Sequence, residues 1–191
     1  MRSLDLEPKP PAPFLQITPH DKTDAMRTSE LAKAILAPDE LTERAALVRA
    51  LLDREDDSSF INARDIRGRT PLMHAIAICA VDVIPILLEC PNVDLVARDR
   101  FGNTALMYAV GYGYENIIRM ILNVLKKKVK DDDRVMLNYL HMENYDGATA
   151  LELALKAGHE DCALALSEFL RVCTCHHQLI SSPPPILIEE W

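Results

Sequence analysis

Apolar residues in this chain recur at helical spacing in short paired runs, and polar stretches built around a glycine separate the pairs. Leu72, Ala75 and Ile76 make one run, and Val83, Ile84, Leu87 and Leu88 make its partner. The pattern returns as Leu106, Ala109 and Val110, followed by Ile117, Ile118, Ile121 and Leu122. Earlier in the chain, Leu31, Ala34 and Ile35 follow Ser29, an expected helix N-cap. Pro38-Asp39 breaks that helix, and a second over about residues 40–52 carries Leu47, Val48, Leu51 and Leu52 as its inward stripe. Helices this short do not bury an apolar face alone, so the pattern predicts helix pairs stacked on one another.

The polar stretches repeat as closely as the apolar ones. Asp65-Ile66-Arg67-Gly68-Arg69-Thr70-Pro71-Leu72-Met73-His74-Ala75 returns as Asp99-Arg100-Phe101-Gly102-Asn103-Thr104-Ala105-Leu106-Met107-Tyr108-Ala109, 34 positions on. A third copy runs Asn144-Tyr145-Asp146-Gly147-Ala148-Thr149-Ala150-Leu151-Glu152-Leu153-Ala154. Asp-x-x-Gly makes a tight turn, the threonine is placed to cap the next helix, and Pro71 takes a first-turn position where no donor is missed. Gly113 and Gly158 are placed to end first helices, but Cys79 stands at that point in the first copy, and Pro85 falls inside its second helix. A loosened or shifted second helix is expected there. The step from Gly102 to Gly147 is 45 positions, so about a dozen residues are inserted near 123–138. They are read as an extended second helix followed by a charged turn.

These blocks resemble the ankyrin repeat, whose unit is a D-x-x-G-x-T-P-L-H turn followed by two antiparallel helices. The resemblance implies an all-α solenoid of stacked helix pairs joined by β-hairpin-like turns. Ile61-Asn62-Ala63-Arg64-Asp65 and Val93-Asp94-Leu95-Val96-Ala97-Arg98-Asp99 look like its hairpin segments. The expected layout is a proline-rich disordered leader at 1–27, a repeat domain at 28–172 and a tail at 173–191. Its units fall near 28–64, 65–98, 99–143 and 144–172. The family's first-helix histidine is replaced by Met73, Met107 and Glu152, so the polar bridge it makes is lost or altered. His159 sits where the family also carries histidine. In the family, partners meet the turn tips and the exposed side of the first helices. The resemblance therefore implies a contact ridge of Arg64, Arg67, Arg69, Arg98, Arg100, Phe101, Asn103, Tyr112 and Tyr145. It also implies a non-catalytic protein–protein interaction module, acting as adaptor, scaffold or inhibitor. The alternative is a substrate-recruiting subunit whose tails dock a catalytic partner.

Composition narrows the partner. A net charge of −8 opposes general nucleic-acid binding, so clustered arginines are read as a site for a protein's acidic or phosphorylated segment. The chain is expected to act as a monomer or as a subunit of a hetero-complex, with no membrane contact. Only 5% of residues are aromatic, leaving aliphatic side chains to fill the core. Five cysteines without framework spacing point to a reducing compartment, cytoplasmic or nuclear. No catalytic grouping or cofactor motif is present in the sequence. Cys173-Thr174-Cys175-His176-His177 carries metal-ligand residue types, but four donors within five residues do not readily close a tetrahedron, and no metal is expected. His74 is expected to be exposed on a first helix. Residues 186–191 are expected either to form a linear motif or to fold over the last unit.

Overall fold

The computed structural model describes residues 30–36, 41–54, 58–130 and 132–181. Its helices are α1 (Glu30–Leu36), α2 (Leu41–Arg54), α3 (Ser58–Ile61), α4 (Pro71–Ala77), α5 (Ile84–Glu89), α6 (Ala105–Tyr112), α7 (Glu115–Lys128), α8 (Asp133–Leu140), α9 (Ala150–Ala157) and α10 (Glu160–Ser181). Four packed pairs result: α1 with α2, α4 with α5, α6 with α7, and α9 with α10. The first helices α1, α4, α6 and α9 contact one another in that order. Among the described residues the one extended pairing is a bridge between Glu143 and Thr149, so the expected all-α stack is what forms. Ser29, Pro38-Asp39, the leader and residues 182–191 lie outside the described residues.

The sequence sets where the first helices begin. Thr70, Thr104 and Thr149 each adopt an extended backbone and accept from the N–H three residues on, at 3.4, 3.4 and 3.3 Å. This satisfies a donor that the helix leaves open. Glu152 replaces the family's histidine and returns the favour within its own unit, accepting from the Thr149 N–H at 2.9 Å. The core between pairs is aliphatic. Ile76 and Val110, the sixth residue after each threonine, are fully buried beneath the following pair. Leu155 holds the same register in α9 and is 64% exposed, because no described pair follows it.

Four details depart from the sequence expectation. Leu47 is exposed, since α2 turns only Val48 fully inward, with Leu51 and Leu52 half-buried. Residues 58–61 form the short helix α3, so Ile61, expected to open a hairpin segment, ends a helix instead. Beyond the expected extension of α7, the insertion holds not a charged turn but α8, capped by Asp132 and packed on α10; Met136, Tyr139 and Leu140 are buried at helical spacing, and Tyr139 donates to the Leu95 carbonyl at 3.2 Å. Helix α10 runs on to Ser181 through residues assigned to the tail, as no glycine or proline interrupts 160–181.

The second unit shows how its missing glycine is accommodated. Cys79 takes the left-handed conformation at φ 54°, where Gly113 and Gly158 sit at 78° and 69° in the later units. Pro85 lies in the first turn of α5, and that helix has six residues against fourteen in α7. A side chain in the left-handed region costs roughly 1–2 kcal/mol. The Cys79→Gly variant is therefore expected to be more stable by about 1 kcal/mol, read as a higher urea midpoint at an unchanged slope. Part of the gain is offset by losing the hydrogen bond between Cys79 and Tyr114.

Candidate partner-binding ridge

Each turn is built on one side-chain acceptor. Asp65 Oδ1 accepts the backbone N–H of Arg67 and Arg69, both at 2.8 Å. Asp99 does the same for Phe101 and Asn103 at 2.9 and 2.8 Å, and Asn144 for Asp146 and Ala148 at 3.1 and 2.9 Å. Gly68, Gly102 and Gly147 then close the turns at positive φ. Repetition of the same short turn at the same place in each unit lines the tips into a row.

Backbone hydrogen bonds fasten that row. Arg100 N–H donates to the Arg67 carbonyl at 2.8 Å, and Tyr145 N–H donates to the Phe101 carbonyl at 2.9 Å. The Arg64 guanidinium reaches the Arg98 carbonyl at 2.9 Å, and Asn144 Nδ2 donates to Asn103 Oδ1 at 3.1 Å. The tips are thus linked to one another independently of the helices behind them.

Beneath the first tip lies a buried ionic group. Asp65 Oδ2 accepts from Arg69 Nε at 2.8 Å and lies 3.1 Å from His74 Nε2, and all three side chains are nearly inaccessible. Burial alone would raise the Asp65 pKa. The hydrogen bonds from His74 and from Arg69 outweigh it and hold the carboxyl well below the usual carboxylate range. In the next unit Tyr108 donates to Asp99 at 2.9 Å, and burial with the neighbouring carboxylate drives that phenol's pKa far upward.

This geometry corrects part of the sequence-derived ridge. Arg69 and Asn103 are buried, because each side chain turns back onto the aspartate of its own turn. His74 is buried too, and its position follows from Asp65 needing partners. Tyr112 is the last residue of α6, at the far end of that helix from the tip, where it stacks on Tyr114 with ring centroids 5.6 Å apart. His159 is half-buried between neighbouring units, with Nε2 3.3 Å from the Gly111 carbonyl.

What remains converges. Arg64, Arg98, Arg100 and Tyr145 line one open depression of about 430 Å³, together with Asp94 and Val96. Arg67 is half-buried beside it. Phe101 and Tyr145 are 57% and 71% exposed on the row of tips. Asp94 and Val96 were not singled out from sequence. The signal was present as alternation: Val93, Leu95 and Ala97 face inward, so Val96 faces outward.

Cys173 is buried, and its thiol pKa is raised by burial and by the Asp133 carboxylate it bonds. The side chains of Cys175, His176 and His177 lie outside the described residues.

A family model for ankyrin repeats in three copies matches residues 41–133 and 99–173. The chain belongs to the ankyrin-repeat family. It is similar to human Ankyrin repeat domain-containing protein 63, at 32% identity over 124 residues, which is 65% of this chain and 30% of that protein. An ankyrin repeat protein of Rickettsia bellii is 32% identical over 123 residues, or 64% of this chain and 60% of the relative. Mouse Rabankyrin-5 shares 33% identity over 82 residues, 43% of this chain and 7% of its own length. The matches thus span under two thirds of each of these relatives. Ankyrin repeats are generic protein–protein interaction modules. No helix among the described residues is long and apolar enough to cross a membrane.

Proposed function

We propose that this ankyrin stack is a non-catalytic adaptor that binds an acidic or phosphorylated segment of another protein across its turn tips. The observation that carries the reading is the convergence of Arg64, Arg98, Arg100 and Tyr145 on one depression, flanked by exposed Phe101. Guanidinium forks suit carboxylate and phosphate oxygens, and exposed aromatics beside them supply area that is costly to leave wet. The linked tips add preorganisation, so little ordering entropy is lost on binding. Asp94 in the same depression carries the opposite charge and favours a ligand that also offers a donor.

The expected partner surface excludes Arg69, Asn103 and Tyr112. A reducing compartment, the cytoplasm or nucleus, goes with this reading, its support being the lack of framework spacing among the five cysteines.

Arrays of acidic and phosphorylated peptides provide the test. Wild-type protein is expected to select peptides whose binding falls at least tenfold with Arg64→Glu/Arg98→Glu/Arg100→Glu, about 1.4 kcal/mol or more. Arg119→Glu, in α7 away from the tips, serves as the control and should leave binding unchanged. Equal binding by the tip variant and the wild type removes the ridge from the account.

A further inference from the structure

The inserted helix creates a surface that a regular repeat lacks. Where α7 ends, α8 diverges and then packs on α10, leaving a groove of about 380 Å³. Its floor is apolar: Val129, Met136, Phe169, Val172 and Cys173. Its rim carries Lys126 and Arg171 together with three carboxylates. The carboxylates serve local donors, and Lys126 acts on the Cys173 thiol beside Asp133. Asp132 accepts the Arg134 N–H at 3.0 Å, Glu168 accepts from Arg119 at 3.5 Å, and Asp133 bonds the Cys173 thiol.

The same chain supplies an occupant of matching chemistry. Ile186, Leu187, Ile188 and Trp191 are apolar, and Glu189 and Glu190 are acidic. We propose that the α7–α8–α10 groove is the docking site for residues 186–191 of this chain, the apolar side chains entering it and the glutamates meeting Lys126 and Arg171.

The reach is adequate. Val172 lies nine residues before the end of α10, ~14 Å at 1.5 Å per residue. Pro183-Pro184-Pro185 disfavour further helix, and at ~3.1 Å per residue the steps from Ser181 to Ile186 cover about 16 Å. A chain that turns back after Ser181 would therefore have the length to bring Ile186 level with Val172, and six further residues span up to ~20 Å, enough to follow the groove. Docking here closes the groove to other proteins, so a partner that uses it must displace the segment. This surface is separate from the turn tips and stands whether or not they bind a ligand.

Trp191 is the single tryptophan of the chain and reports its own environment. In the full chain its emission is expected to be blue-shifted, with acrylamide quenching several-fold weaker than in the urea-unfolded protein. Val172→Glu, at a half-exposed groove position, is expected to return both to unfolded-like values with the far-UV circular dichroism unchanged. Val172→Ser gives the same reading, more weakly, if the charge perturbs the helix. Leu164→Glu, elsewhere on α10, leaves the emission as it is. Solvent-like emission in the wild type would overturn the proposal. So would protection lost through Leu164→Glu but kept in both Val172 variants, which would place the segment on the end of the stack. Protection that grows with protein concentration would assign the groove to a second copy instead.

Discussion

Replacing Asp65 with alanine is expected to cost about 3–5 kcal/mol, because it strands the Arg69 guanidinium in the interior without its counter-charge. The carboxylate accepts from two backbone N–H groups as well as from Arg69 and His74, so the loss also opens the turn. Urea denaturation at neutral pH measures it. Asp65→Asn tests the charge with less disturbance of shape. The folded-state pKa lies below the unfolded-chain value of about 3.9, so the contribution of the ionised group is fully present above that value. It is lost as pH falls through the folded-state pKa. The stability gap between wild type and Asp65→Asn should therefore be constant above about pH 5 and narrow below the unfolded-chain value of about 3.9. A gap that persists unchanged to about pH 2.5 would show that Asp65 gains nothing from its charge.

Gly102→Ala is expected to rank next, at about 2–4 kcal/mol. Its φ of 79° already disfavours a side chain, and an added Cβ would lie 2.8 Å from the Tyr145 backbone nitrogen and 2.9 Å from the Tyr145 ring. Moving that nitrogen breaks its bond to the Phe101 carbonyl, which joins the second tip to the third. Gly147 isolates the conformational part: its φ is 71°, and nothing lies within 4 Å of an added Cβ. Gly147→Ala should accordingly cost only about 1–2 kcal/mol. Comparable midpoints for the two variants would mean that the contact between tips contributes nothing to the stack.

The helix pairs were legible because period, cap and breaker agree at each unit: Thr70, Pro71 and Leu72 all ask for a helix start at one place. The same agreement placed the three turns. What the sequence hid was the direction of side chains at the tips. Arg69 and Asn103 belong to residue types that usually face water, and their inward turn depends on Asp65 and Asp99 being sequestered nearby. His74 is buried for the same reason. Tyr112 joined the expected ridge as part of a first helix's exposed side, but the eight residues of α6 carry it to the end of that helix opposite the tip. Helix α8 escaped notice because Asp131-Asp132-Asp133 read as a charged turn after an extended second helix. The lysines do end that helix, α7, but Asp133 opens α8, each sign suiting its helix pole.

The extra helix lengthens the step between the second and third turns without disturbing the bonds that join them. Tyr145 still meets Phe101, and Asn144 still meets Asn103. The front of the molecule keeps metre while the back absorbs additional sequence. The bend at Val129 and Lys130 is consequently a natural port for a fused reporter or a crosslinkable tag, which would leave the spacing of the tips as it is.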